Sequence, residues 1–327
     1  MKKVVYRSLI SGDESKIVDL FMQAGPHLRT VGFWNWFNQS NPFGKSIIEV
    51  AESEGQIIGH YAVMPVDLQI KGVSTRAGFA AQAMIHTAHR NLGHILEITE
   101  RVWKRCQEAG IEYVYAFPND NIWKVNLSLM AWEAIGDFKS WQLSLKDMEA
   151  ALSSPPRDVK ITRVCNFDER IDDLWSNSPI AESGKIAVVR NIKFLNWRFF
   201  QHPFHHYQVF QAECEGQIVG YLVLKLYHKE SVSYGHLIDL LTLKTDCEPI
   251  TRALLAVACL FFRWAEVDTV SCWMCPDNPY METLFSLGFA STGFNTHFGY
   301  KFIAENRTKP SLSLENWYLT MADSDAF

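Results

Sequence analysis

The sequence predicts two tandem α/β domains, each a mixed, mainly antiparallel sheet with a central parallel strand pair flanked by helices. Three observations lead there. First, AESEGQIIG, from Ala51 to Gly59, returns as AECEGQIVG from Ala212 to Gly220, and FWNWFNQSNPF from Phe33 lies over FLNWRFFQHPF from Phe194 without a gap. Both pairs share one offset, since 194 minus 33 equals 212 minus 51. A shift of that length duplicates a whole domain, because solenoid repeats recur at roughly 20 to 50 residues. Second, 327 residues suit two domains of about one to two hundred residues, each able to bury a core. Third, each copy holds a buried strand, a helix and another buried strand at the spacing of a right-handed crossover, which joins parallel neighbours.

The first copy opens with the strand VVYRSL and a polar turn whose Asp13 caps the helix ESKIVDLFMQA. After the aromatic segment come SIIEVAESE and QIIGHYAVMPVDLQI, two strands joined at Glu54-Gly55, with a second turn at Lys71-Gly72, which together make a meander. GFAAQAMIHT is a buried strand, HILEITERVWKRCQEA a helix and IEYVYAFP another buried strand. In that helix Ile95, Ile98, Val102 and Cys106 share one face, and Gly110 sits where a left-handed C-terminal residue belongs. A helix around NIWKVNLSLMAWEA and a last strand, FKSWQLSL, complete the copy. The proline and polar content of SSPPRD marks a linker. Beyond it the order recurs through YQVFQAEC, QIVGYLVLKLY, GHLIDLLTL, a helix from about Pro249, TVSCWM, PYMETLFSL and a closing pair. The expected boundaries are a first domain over residues 1–148, a linker over 149–159, a second domain over 160–303 and a tail over 304–327. In the tail, Trp317, Tyr318 and Leu319 are expected to dock and the last residues to be loose.

Composition narrows the function. A formal charge of −5 with scattered basic residues argues against nucleic acid as partner. MKKVVYRSLI lacks the apolar segment and cleavage site of a secretory signal, and ALLAVACLFF is too short to span a bilayer, so no membrane role and a cytoplasmic location are expected. Seven dispersed cysteines make poor material for a disulfide framework. Cys272 and Cys275 form a C-x-x-C in a strand, where residues three apart face opposite sides, so no metal site is expected there. HPFHHY, from His202 to Tyr207, reads as a solvated turn.

One loop carries chemistry. HTAHRNLGHI, from His86 to Ile95, leaves the carboxyl end of a parallel strand and feeds a helix, where unpaired amides face outward and favour a phosphate-bearing ligand. Gly93 permits close backbone approach and positive φ, Arg90 adds a charge, and no acid occurs before Glu97.

The run H-R-N-L-G-H resembles the Q/R-x-x-G-x-G/A loop of the GNAT acyl-CoA acyltransferases. Arg90 and Gly93 match its first arginine and first glycine, and Ile95 stands where the last Gly/Ala is expected. The order of elements over most of residues 1 to 145 is similar to that family's, and the second copy is similar in order only, so the whole resembles a tandem-domain member with a degenerate second domain. The resemblance implies acetyl-CoA or another acyl-CoA as co-substrate, with no metal. It implies that the backbone of Met84 and Ile85 pairs with the pantetheine arm and that amides of Arg90, Asn91, Leu92, Gly93, His94 and Ile95 hold the pyrophosphate. His89 and His94 are candidates to bond phosphate, and Asn119 matches an asparagine used near the cofactor arm.

The second copy's equivalent loop, LKTDCEPI, has no glycine and brings Asp246 and Glu248 to the helix end. Those carboxylates already satisfy the dipole, by about 0.3 to 1 kcal/mol each, and Pro249 removes an amide, so the second coenzyme site is expected to be dead.

The expected reaction is acyl transfer to the amine of a small molecule such as an amino sugar or amino acid, largely by positioning. The helix after Asn119 contains no tyrosine to protonate the leaving thiolate. His86 is the candidate general base, and Gln82 holds the middle of the buried strand, where some family members place a carboxylate. Aligning Gly78 with Gly235 sets Gln82 opposite Asp239, a carboxylate in an apolar strand and a second catalytic candidate if the acceptor binds between the copies. Matched aromatics in the two repeats suit packing, whereas Trp34 and Arg198 break the match and are candidates for acceptor binding. Two alternatives stay open: a non-catalytic acyl-CoA-binding or scaffold protein, and an aminoacyl transferase drawing on charged tRNA.

Overall fold

The computed structural model describes residues 3–24, 30–151, 158–304 and 312–327. All of SSPPRD but its final Asp158, and the first part of the tail, lie outside the described residues. The elements run β1 (Val4–Ser8), α1 (Asp13–Ala24), α2 (Val31–Gln39), β2 (Ile47–Ser53), β3 (Gln56–Ile70), β4 (Val73–Ile85), α3 (Leu92–Glu108), β5 (Tyr113–Ala116), α4 (Asp120–Leu129) and β6 (Glu133–Ser144). There follow α5 (Leu145–Ala151), β7 (Lys160–Val164), α6 (Arg170–Ser176), α7 (Pro179–Glu182), β8 (Ala187–Val188), α8 (Ile192–Leu195), β9 (Gln208–Cys214), β10 (Gln217–Lys229), β11 (Val232–Thr242), α9 (Cys247–Trp264), β12 (Thr269–Trp273), α10 (Met281–Ser286) and β13 (Ala290–Phe302). They form two compact units: residues 1–68, 75–136 and 297–311, and residues 69–74, 137–296 and 312–327.

In the first unit β1, β2 and β3 form an antiparallel meander, and β4 runs parallel to β5 across the α3 crossover. The tight turns are the residue pairs expected: Glu54 and Gly55 have φ of 52° and 80°, Lys71 and Gly72 49° and 80°, the left-handed pair that matches the twist of a hairpin. Gly110 closes α3 with φ of 71°. The face of α3 carrying Ile95, Ile98, Val102 and Cys106 is buried against Ala51, Ile58 and Tyr61. The unit completes its sheet with the end of β13, whose Gly299–Phe302 run antiparallel to Ala116–Tyr113 of β5.

The second unit repeats the plan. β7, β9, β10 and β11 are antiparallel, β11 and β12 are parallel across α9, and β6 pairs β12 from Thr269↔Ser144 to Trp273↔Ser140. The two crossovers correspond in detail, because Gly78 pairs with Val114 in one and Gly235 with Val270 in the other. Each glycine makes room for a neighbour. A Cβ on Gly235 would stand 2.6 Å from the fully buried ring of Phe262. Gly235→Ala is therefore expected to destabilise the protein by about 1–3 kcal/mol through overpacking, read as a lower denaturant midpoint at unchanged slope.

The aromatic repeats are interior. In the first, Phe33, Trp34, Trp36 and Phe37 of α2 are buried; in the second, so are Phe194, Trp197 and Phe199. The tail behaves differently from the expectation of a loose end. Trp317, Tyr318 and Leu319 are buried, and so are Thr320 to Ser324. The Arg198 guanidinium donates to the carbonyls of Ala322, Ser324 and Phe327, which ties the terminal segment down.

The HPFHHY segment also departs from expectation. His202 is buried, with its ring stacked on His205 at 4.4 Å. Burial, reinforced by Arg198, holds His202 far below the ordinary imidazole range, and burial pushes His205 and His236 down to about 4. Unfolding returns these rings to a pKa near 6.5, so between about pH 4 and 6.5 the unfolded chain binds more protons than the folded one. Stability should then fall as pH drops through that window, seen as a melting temperature declining from pH 6.5 towards 4.5.

Among the described residues no helix is long and apolar enough to cross a membrane, and no group of three or more His, Cys, Asp or Glu is placed to hold a metal ion.

Candidate functional site

The β4–β5 ladder opens partway along. Its rungs run from Ala77↔Tyr113 to Phe79↔Tyr115, while β4 continues to Ile85. β4 stays attached to β3 on its other side, where the His86 amide donates to the Ile58 carbonyl at 2.8 Å. Residues 80–85 therefore present a backbone edge with no partner from β5.

A local distortion sets this edge. Gln82 has φ of 62°, which costs a non-glycine residue of order 1–3 kcal/mol unless its surroundings hold it. Two buried groups do so: His60 Nδ1 donates to the Gln82 carbonyl at 2.8 Å, and Asn38 Nδ2 donates to Gln82 Oε1 at 3.1 Å. Asn38 also reaches the Trp34 carbonyl at 3.1 Å, so two of the sequence candidates, Gln82 and Trp34, meet through it. Trp34 itself is fully buried in the core of its unit, among Ile17, Phe21 and Ile48. His60 and Asn38 were not among the candidates. The available signal was a histidine at an inward position of an otherwise apolar strand.

The loop after β4 turns through Thr87–His89 into α3. His86 opens that turn, its Nδ1 accepting from the Ala88 amide at 3.1 Å. Asn91 caps α3, with its side chain accepting from Gly93 N at 2.8 Å and its carbonyl from His94 N at 3.1 Å. The amides of Arg90, Asn91 and Leu92 have no acceptor among the described residues, and all three side chains are exposed. Gly93 lies in the first turn of α3 rather than in the left-handed region, so the positive φ foreseen for it is absent. What its missing side chain supplies is space, since a Cβ would meet only Asn91 Oδ1 at 3.3 Å. His94 is drawn inward to the Tyr6 hydroxyl at 2.7 Å, and Ile95 packs into the core. The His89 ring packs on His86. Met84 and Ile85, on the open edge, are half-buried. Asn119, just past β5, caps α4 by accepting from Asn121 N and Ile122 N.

The second unit's counterpart is chemically inverted. Asp246 has φ of 57° at the start of α9, Glu248 pairs with Arg252 at 3.0 Å, and the loop's one cation, Lys244, pairs with Glu182 at 2.6 Å. Asp239 is fully buried on β11, where it faces Arg190 at 3.0 Å and accepts from the Tyr221 hydroxyl and Thr320 Oγ1, each at 2.8 Å. Arg198 is buried too, its fork filled by carbonyls and by the Tyr207 hydroxyl.

The family model described as an acetyltransferase (GNAT) domain matches residues 5–122. The chain carries a GNAT domain. It covers β1 to the start of α4, so it contains both the open β4 edge and the loop at residues 86–95. Solved structures extend the likeness of fold beyond the GNAT domain. A GCN5-related N-acetyltransferase from Anabaena variabilis superposes with a TM-score of 0.71 at 11% identity, over 92% of this chain and 73% of its own. A tandem GNAT protein from the clavulanic acid biosynthesis pathway gives 0.64 at 14% identity, over 93% of this chain and 100% of its own. N-myristoyltransferase from Saccharomyces cerevisiae, with bound myristoyl-CoA, gives 0.64 at 14% identity, over 96% and 85%. No curated protein sequence matches significantly. The likeness to these structures is one of fold, and the residues matched by the GNAT family model contain the loop with the bare amides.

Proposed function

We propose that the chain is an acyl-CoA-dependent N-acyltransferase that moves an acetyl or other short acyl group to the amine of a small molecule such as an amino acid or amino sugar, with the coenzyme held by the GNAT domain. The observation that carries this reading is the β4 edge left open beyond Phe79, leading into bare amides at Arg90, Asn91 and Leu92. The pantetheine amides add to that edge at Met84 and Ile85 like a short strand. The diphosphate lies on the bare amides of Arg90, Asn91 and Leu92, with the Arg90 guanidinium and the His89 imidazole as further partners. Asn119 flanks the arm where β5 ends.

The chemistry asks little of side chains. The amine nitrogen attacks the thioester carbonyl carbon, the C–S bond breaks as the tetrahedral adduct collapses, and the proton lost by the amine is balanced by one taken up by the CoA thiolate. A thiol pKa near 8.5 makes that a good leaving group, so orientation supplies most of the acceleration. His86 can serve as base only by releasing the Ala88 amide, since a neutral ring accepting at Nδ1 carries its proton on Nε2. Gln82 then acts through the backbone it shapes. Asp239, Arg198 and Trp34, enclosed as they are, support the framework in this reading rather than touch the acceptor.

Thiol release from acetyl-CoA, followed across pooled amines and then across acyl lengths, tests the proposal. Release that requires both coenzyme and amine is expected. Coenzyme binding with no release from any pool would instead identify a non-catalytic coenzyme-binding protein.

A further inference from the structure

We propose that the second unit carries a binding site for a small carboxylate-bearing molecule, built on a polar row that crosses its sheet. Lys225 of β10 stands directly opposite His236 of β11, and His236 opposite Ser271 of β12, so the three side chains share one face of adjacent strands. His236 Nδ1 lies 2.6 Å from Ser271 Oγ, and Lys225 donates to His205 Nε2 at 3.1 Å. Further along the same face, Tyr227 and Tyr234 stack on His236 at 5.5 and 6.2 Å between ring centroids. The opposite face of these strands is the apolar one, with Gly235 against Phe262 of α9.

Lys225 decides the chemistry. It is 8% exposed, and among the described residues it has no carboxylate partner. Burial first and the like charge of Arg198 second lower the ammonium pKa to about 8, which leaves it mostly protonated at neutral pH. A buried cation without a counter-ion is costly, and this one keeps N–H donors in hand after bonding His205. Arg198 offers no second fork, because main-chain oxygens of Ala322, Ser324 and Phe327 and the Tyr207 hydroxyl fill it. His205 and His236 are neutral at pH 7, with pKa values held down to about 4. One ammonium between neutral imidazoles matches a monoanionic carboxylate better than a phosphate dianion. Tyr227, exposed, and Tyr234, half-buried, bring one end of the row to the surface and suit a flat or apolar body beside that carboxylate, while the Phe327 ring packs on His236 at 5.6 Å.

The inference stands whether or not the chain transfers acyl groups, because it rests on the row of side chains within the second unit alone. The test is isothermal titration of the full chain with amino acids, their deaminated carboxylates and inorganic phosphate, repeated on Lys225→Met and Lys225→Gln. Wild type should bind carboxylates of both kinds and not phosphate. Both variants should bind them at least tenfold more weakly while melting no lower than wild type, since each removes an uncompensated buried charge. Carboxylate binding of equal strength in either folded variant, or no carboxylate binding by wild type, overturns the proposal.

Discussion

Asp239→Ala should destabilise the protein by about 3–5 kcal/mol, the cost of stranding the other half of a buried ion pair. Asp239 and Arg190 are both fully buried, and Arg190 also binds Asp323 through two contacts of 2.8 Å. Removing one carboxylate leaves the guanidinium with an incomplete set of partners, and the Tyr221 hydroxyl and Thr320 Oγ1 each lose an acceptor. Because Thr320 and Asp323 belong to the terminal segment, that segment should loosen first, which hydrogen exchange over residues 317–324 would detect before global unfolding. The isosteric Asp239→Asn separates this account from a catalytic one. If the carboxylate anchors the tail, turnover and stability fall together; if it serves the reaction, turnover falls while the melting temperature holds.

Gly93→Asp should weaken acyl-CoA binding at least tenfold without harming the fold. The substitution sets a carboxylate in the first turn of α3, close to the bare amides of Arg90, Asn91 and Leu92. It copies what the second unit already does with Asp246 and Glu248 at the start of α9. A negative charge there favours the helix by about 0.3–1 kcal/mol and repels an arriving diphosphate. The added Cβ meets only the Asn91 side chain, which can shift. Loss of affinity with an unchanged or slightly raised melting temperature is therefore the expected pattern.

Much of the fold was legible because its signals are local. Glu54-Gly55 and Lys71-Gly72 demand left-handed turns, the Ile95–Cys106 face demands a helix against a sheet, and the gapless repeat carries both to the second copy. The alignment of Gly78 with Gly235 holds in three dimensions because each lies at the same rung of a parallel pair. What escaped were partners distant in sequence. Alternating strands such as β6 and β13 show which face is apolar but not which edge they join, so nothing local says that Gly299–Phe302 pairs with β5 or that Ser140–Ser144 pairs with β12. The same limit hid the surroundings of Asp239. A lone aspartate in an apolar strand signals a partner, but Arg190, Thr320 and the Tyr221 hydroxyl come from three other segments. At the candidate site the loop was readable from Arg90 and Gly93, whereas the left-handed Gln82 and the His60 that holds it depend on contacts between strands.

The most direct measurement is the stoichiometry of acetyl-CoA binding to the full chain by isothermal titration, in wild type and in Gly93→Asp. One molecule per chain, with binding lost in the variant, is the predicted result. Two molecules per chain, none, or a single site indifferent to Gly93→Asp would contradict the assignment of the coenzyme to the GNAT domain.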